Sequence, residues 1–171
     1  MQVNHEILGM IEELGNSSRD VRITAVRELS SRGDAAVQPL IEAMKHNPGN
    51  DFRWYTALTL SRIGEPAVSP LITAMKEYPD PDFRRFSAAA LGNIGEAAID
   101  PILRAMKDAD PALRGFFSAA LCRIGTPALQ KLKEACTGDD EVLRKCAELT
   151  LWGMGEEGIR IMMQSLDQEE S

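Results

Sequence analysis

The feature that most constrains this chain is an internal repeat of 30 to 31 residues. One glycine returns in constant phase at Gly33, Gly64, Gly95, Gly125 and Gly155, with successive differences of 31, 31, 30 and 30. An arginine keeps the same steps at Arg22, Arg53, Arg84, Arg114 and Arg144, and a proline agrees in three units at Pro39, Pro70 and Pro101. Such a phase predicts a stacked array, in which each unit buries its apolar faces only against its neighbours.

Each unit is predicted to hold two helices. In the third unit the first helix runs from about Pro81 to Ile94, with Asp80 as its N-cap and a proline at the tolerated first position. Asp110 and Asp140 stand at the corresponding starts in the next two units. The glycine that follows each first helix predicts a turn in a conformation that other residues avoid.

The second helix of the third unit is predicted over Glu96 to Lys107. Its apolar residues gather on one face: Ile99, Ile102, Leu103 and Met106. Asp100 and Arg104 fall on the opposite face. Pro101 lies in or just beyond the first turn, where a missing N–H costs little.

The two ends depart from this pattern. Residues 4–17 are predicted as a lone second helix that caps the array, because Ile7, Met10, Ile11 and Leu14 match the apolar register. The units follow at 18–48, 49–79, 80–109, 110–139 and 140–167, the last acting as the C-terminal cap, with a frayed tail at 168–171. We therefore expect a single all-α domain over 1–171, a right-handed α-solenoid of five helical pairs.

The repeats resemble those of a known family, and the resemblance covers nearly the whole chain. The segments "DFRWYTALTLSRIGEPAVSPLITAMK" and "DFRRFSAAALGNIGEAAIDPILRAMK" are similar to HEAT-like repeats of the phycobilisome-lyase type, and units one and four are less regular copies. The resemblance implies first helices on a convex surface and second helices on a concave one. Members of that family have diverse functions, so the resemblance implies the fold more firmly than it implies an activity.

Composition restricts the function classes. The net charge of −7 argues against a nucleic-acid binder, which draws its affinity from Lys and Arg, and leaves that function third. The chain has neither a basic leader nor an apolar run long enough to span a membrane, so a cytoplasmic protein is expected. Three cysteines without a CxxC pair, and two histidines, predict no disulfide framework, no metal site and no cofactor.

The candidate binding face is the concave stripe of the second helices. Counted from each glycine, positions five, nine and twelve share one side of the helix. These residues are Gln38, Glu42, Lys45, Ser69, Thr73, Lys76, Asp100, Arg104, Lys107, Gln130 and Glu134, with Thr137 at the twelfth position of unit four. Lys occupies position twelve in three units, whereas positions five and nine vary. The alternative interpretation is an ordinary solvated face.

The recurring arginines have two interpretations. They could form an anion-binding ladder, but a residue present in every unit is better explained by pairing with helix-end carbonyls or with an acidic neighbour such as Asp82 or Asp110. Trp54 has no fixed counterpart in the other units and is predicted at the surface, as a possible contact residue. Its neighbours Phe52 and Tyr55 are predicted in the core.

The remaining motifs predict no catalysis. The cysteines occupy apolar repeat positions, and His5-Glu6 is a single pair where a di-iron site needs several. A protein–protein interaction scaffold, monomeric and bound to a protein partner through the concave face, is therefore the predicted function. A subunit or relative of a bilin (tetrapyrrole) lyase is the alternative.

Overall fold

The computed structural model describes residues 2–169, with side chains described over 5–164. Over that range the chain forms helices joined by short loops and contains no strand, which confirms the predicted all-α class. The helices are α1 Gln2–Glu13, α2 Arg19–Ser31, α3 Asp34–His46, α4 Asn50–Ile63, α5 Val68–Glu77, α6 Pro81–Ile94, α7 Ile99–Met106, α8 Pro111–Ile124, α9 Thr126–Cys136, α10 Glu141–Gly153 and α11 Glu156–Glu169.

The predicted helix starts are confirmed by their hydrogen bonds. The carboxylates of Asp80, Asp110 and Asp140 accept from the backbone N–H three residues further on, at 2.6, 2.9 and 2.9 Å. An N-cap of this kind satisfies one of the donors that a helix leaves free at its start. The aspartates therefore fix where α6, α8 and α10 begin.

The recurrent glycines provide the turn between the two helices of each unit. Gly33, Gly64, Gly95, Gly125 and Gly155 all have positive φ, between 56° and 86°. Their ψ, where given, is near −137°, a combination that is almost closed to residues with a Cβ. The glycine is thus retained for its backbone conformation.

Two second helices begin differently from the prediction. Glu65–Ala67 and Glu96–Ala98 are 3₁₀ turns, and α5 and α7 start only after them. Pro70 and Pro101 then fall at the third residue of an α-helix, where no intrahelical N–H bond is lost. These two prolines are therefore compatible with the helix, as expected, whereas Pro39 is the sixth residue of α3 and lies inside that helix.

The chain divides into two compact units, residues 1–90 and 91–171, and the boundary lies inside α6. In the first unit, α2 packs on α4, while α1 packs on α3 and α3 on α5. First helices thus form one layer and second helices the other. Large side chains fill the space between the layers: Leu29, Leu40, Met44, Leu60, Leu71 and Met75 are fully buried.

The second unit repeats this arrangement. Here α8 packs on α10, α7 packs on α9, and α9 packs on α11. The apolar face predicted for the third repeat is buried here, with Ile99, Ile102, Leu103 and Met106 in the core. The layered stacking of helical pairs is that of an α-solenoid, whereas the right-handed superhelix, the repeat boundaries and the single domain stay predictions.

The ends of the chain have helices where the pattern placed caps. Ile7, Ile11 and Leu14 of the N-terminal segment are buried, as the register requires, and Met10 is half-buried. At the other end α11 continues to Glu169, so two residues of the expected tail, 168 and 169, are helical. Residues 170 and 171 of that tail lie outside the described residues.

Candidate functional site

The second-helix face of the first unit consists of Gln38, Glu42, Lys45, Ser69, Thr73 and Lys76. Glu42 is its centre, since its carboxylate accepts from Gln38 Nε2 at 3.2 Å and pairs with Lys45 Nζ at 2.8 Å. Lys45 is half-buried by this arrangement, whereas Ser69, Thr73 and Lys76 are exposed. Charge is thus fixed on α3, and hydroxyl groups are presented by α5.

The second-helix face of the second unit consists of Asp100, Arg104, Lys107, Gln130, Glu134 and Thr137. All six side chains are exposed. Gln130 Nε2 donates to Glu134 Oε1 at 3.2 Å, which repeats the Gln38–Glu42 contact of the first unit. The predicted residues of each unit are therefore polar, and all except the half-buried Glu42 and Lys45 are exposed.

One residue of this face was missed by the positional count. Lys131 is a residue of α9 whose side chain reaches α7. Its Nζ lies 3.5 Å from Oδ1 of Asp100 on α7 and 4.0 Å from Oε2 of Glu134 on α9. It stands next to position five and therefore fell outside the count. Its i, i+3 spacing from Glu134 is the sequence signal that could have found it.

Lys107 has a structural contact that the pattern did not predict. Its Nζ lies 3.3 Å from Asp140 Oδ2, the N-cap of α10. The pKa of Asp140 is lowered, first by the hydrogen bond from the Leu143 N–H and then by Lys107. Lys107 therefore supports the start of α10, two helical pairs further along the chain, and is a weaker candidate for ligand contact than Arg104.

Three of the recurring arginines cap the preceding second helix. The Nε atoms of Arg53, Arg84 and Arg114 donate to the carbonyl oxygens of Met44, Met75 and Met106, at 3.2, 2.9 and 3.0 Å. These three contacts satisfy carbonyls that a helix end leaves free. Arg22 Nη1 instead donates to the carbonyl of Asn16, in the loop after α1, at 2.8 Å.

Arg53 also has an acidic partner. Its Nη1 lies 2.9 Å from Asp80 Oδ1, and the residue is 4% exposed. The partner is thus the N-cap of α6, while Asp82, one of the two suggested acids, pairs with Arg85 at 3.0 Å. A guanidinium held in this way is unavailable to an external anion, and the structural ladder of all five arginines, Arg144 included, stays a prediction.

The aromatic cluster in α4 separates into core and surface. Phe52 and Tyr55 are buried, whereas Trp54 is 52% exposed, as the repeat alignment predicted. Trp54 contacts the Tyr55 ring edge-on with centroids 4.7 Å apart. Its exposed part remains a possible contact surface.

The three cysteines are the nucleophilic thiols of the chain, and their pKa values are shifted upwards. Burial raises the pKa of the thiols of Cys122 and Cys146, and burial followed by Glu148 raises that of Cys136 to about 11. Such thiols are protonated at neutral pH and therefore poor nucleophiles. Among the described residues, no cluster of His, Cys, Asp and Glu could hold a metal ion.

A groove between two first helices was not predicted. It has a volume of about 620 Å³ and is lined by Pro111, Arg114, Gly115 and Ser118 of α8 and by Val142, Lys145, Cys146 and Leu149 of α10. We call it the α8–α10 groove. A hydrogen bond of 2.6 Å between the hydroxyls of Ser118 and Thr150 joins the two helices at one end of it.

Comparison with known proteins identifies the repeat. The family of HEAT repeats matches residues 7–77 and 68–152, which together span most of the chain. The chain belongs to the HEAT-repeat family. No curated protein is significantly similar to it.

Solved structures of several repeat proteins are similar to this chain at low identity. One is the complex of CpcE and CpcF of phycocyanin lyase from Nostoc sp. PCC7120, with 24% identity over 84% of this chain and 96% of that chain, and a TM-score of 0.45. Another is a designed armadillo repeat protein in complex with the peptide (KR)4, with 16% identity over 94% and 87% of the two chains, and a TM-score of 0.33.

The HEAT repeats of this chain contain no membrane-spanning candidate. Over the described residues, every helix is too short or too polar to cross a bilayer.

Proposed function

We propose that this HEAT-repeat chain is a non-catalytic interaction module that binds a protein partner through its second-helix faces. The observation that supports the proposal is that the three predicted positions carry polar side chains in both units, all exposed except the half-buried Glu42 and Lys45. Each unit presents its own face, and the proposal applies to each of them separately.

Variation at these positions supports recognition of a specific partner. Position five is Gln38, Ser69, Asp100 or Gln130, so amide, hydroxyl and carboxylate groups alternate along the repeats. Position nine varies in charge, from Glu42 through Thr73 to Arg104. A constant framework with variable exposed groups can form complementary contacts with one partner and unfavourable contacts with others.

The three cysteine thiols favour a binding function over thiol-based catalysis. General acid–base or nucleophilic catalysis needs neighbouring groups with matched pKa values. In residues 5–164 the thiols have raised pKa values and no metal-binding cluster is found. The exposed charges instead form short ion pairs on the helix surface.

The test is the affinity of a purified partner for charge variants. A partner is isolated by affinity capture, and its Kd is measured by calorimetry for the unaltered protein, Thr73→Glu and Arg104→Glu. At least one variant should weaken binding about tenfold, equal to about 1.4 kcal/mol, because a fixed charge now opposes a complementary surface. The matched control is Arg62→Glu, which reverses an exposed charge on a first helix.

A role as a subunit or relative of a bilin lyase is the second candidate, and the sequence resemblance of the repeats to the phycobilisome-lyase type favours it. The protein would then bind a linear tetrapyrrole and shift its visible absorbance. Titration of the purified protein into a bilin solution checks this directly. An unchanged spectrum would eliminate this candidate if, in addition, the bilin passes freely through a dialysis membrane that retains the protein.

A further inference from the structure

We propose that the α8–α10 groove is a second docking site, which takes an amphipathic segment of a protein partner with one apolar anchor residue and a neighbouring carboxylate. This site is separate from the second-helix face, because α8 and α10 belong to the first-helix layer of the unit. The proposal therefore does not depend on the function proposed above.

The dimensions of the groove suit a side chain from outside. Its volume of about 620 Å³ lies within the range of about 300–1,000 Å³ found for ligand sites. Gly115 leaves one wall open, since a Cβ at this position would meet no atom within 4 Å. Pro111 and Val142 provide apolar surface at the ends where α8 and α10 begin.

From the lining residue Leu149, exposed apolar surface continues along α10 beyond the groove. Leu149 is 71% exposed, and Trp152, one turn later on α10, is 64% exposed. Val142, Leu149 and Trp152 are spaced by seven and three residues, which places them along one side of the helix. A stripe of this spacing is the complement of an amphipathic helix.

The charge of the groove selects the partner. Arg114 and Lys145 are its charged lining residues, and no carboxylate is among the lining residues of this groove. Two backbone carbonyls, of Met106 and Lys107, hold the Arg114 guanidinium in place. Lys145 pairs with Glu141 across one turn of an exposed surface, a contact that a partner's carboxylate can replace.

The equivalent helix pair of the first unit, α2 and α4, carries larger side chains at the matching positions. There Tyr55 occupies the repeat position of Cys146, and the Arg22 guanidinium lies 4.8 Å from the centre of its ring. Ile23 occupies the position of Gly115. Two small residues in α8 and α10 thus stand where α2 and α4 have large ones, and the space between the helices remains open.

The experiment is selection from a displayed library of random helical peptides against the intact protein. The enriched peptides should pair an apolar anchor with Asp or Glu within one turn. Their affinity, measured by fluorescence polarisation with synthetic labelled peptides, should fall at least tenfold for Gly115→Ile, because the added side chain occupies the groove. It should fall similarly for Lys145→Glu, which reverses the charge.

The matched control is Gly9→Ile, because Gly9 is also an exposed helical glycine, and a Cβ at this position would likewise meet no atom within 4 Å. This control should bind the peptides as the unaltered protein does. A thermal melt of each variant distinguishes a blocked groove from a misfolded chain.

Three outcomes would overturn the proposal. The first is a selection that yields no peptide, or basic peptides only. The second is acidic peptides whose binding is unaffected by both Gly115→Ile and Lys145→Glu. The third is a concentration-dependent dimer, seen by analytical ultracentrifugation, that Leu149→Glu dissociates, since a second copy would then occupy the groove.

Discussion

Two pairs of first helices, α2–α4 and α8–α10, pack in the same way but have different side chains between them. In α2–α4 the buried ring of Tyr55 lies between the helices and stacks against Arg22. In α8–α10 the equivalent positions hold Cys146 and Arg114, and a groove of about 620 Å³ remains. The difference shows that the repeat specifies how helices stack, while a few exchangeable positions decide whether a surface is filled or open.

The same contrast applies to the arginines that cap the second helices. Arg53 in the first unit is buried and contacts two backbone carbonyls and Asp80. Arg114 in the second unit is half-buried and contacts two carbonyls. One repeated residue therefore has different energetic weight in the two units, and substitutions can measure that difference.

The largest effect is expected for Arg53→Ala. Loss of a buried guanidinium leaves helix-end carbonyls without their donor and removes the partner of Asp80, so the free energy of unfolding should fall by about 3 kcal/mol. Arg114→Ala should cost about 1 kcal/mol, because water can reach the carbonyls that it leaves. Urea denaturation of both variants checks this order, and equal losses would contradict the comparison.

A smaller loss of stability is expected when Tyr55 of the first unit is replaced by cysteine, the residue at the equivalent position 146 of the second unit. Tyr55→Cys should lower the free energy of unfolding by about 2 kcal/mol, because it leaves a cavity between α2 and α4 and removes the stacking on Arg22. Tyr55→Phe keeps the ring and is the control, with little expected change. If Tyr55→Cys unfolds at the same urea concentration as the control, the ring does not hold these helices together.

The smallest effect is a gain in stability at the open position of the groove. Gly115→Ala should raise the free energy of unfolding by about 0.8 kcal/mol, since alanine favours a helix interior and the site has free space for its Cβ. A single methyl group does not fill the groove, so peptide binding should persist. A loss of stability in thermal denaturation would show that the space at Gly115 is already occupied.

Much of the fold could be predicted because its signals are local and repeated. Asp80 as an N-cap, the positive-φ glycines and the bounds of α6 could be predicted, because the residues that begin and end helices recur from one repeat to the next. The core positions of α7 follow from one apolar face. The exposure of Trp54 followed from the absence of a fixed counterpart in the other units.

The contacts between helices were harder to predict, because they depend on side chains from different units meeting in space. Asp80 rather than Asp82 pairs with Arg53, and Lys131 joins α7 to α9, although neither contact follows from position within one repeat. The α8–α10 groove depends on Gly115 and Cys146 together. Taken alone, each differs from its counterparts in the other repeats without an evident consequence. The groove becomes apparent only when α8 and α10 are seen side by side.

The most direct test of the account is the dissociation constant of a purified partner, measured by calorimetry, for the unaltered protein and for Arg104→Glu, Thr73→Glu and Arg62→Glu. The account predicts that at least one second-helix variant binds about tenfold more weakly, while the first-helix control is unchanged. Equal dissociation constants for all four proteins would contradict a binding role for the second-helix faces.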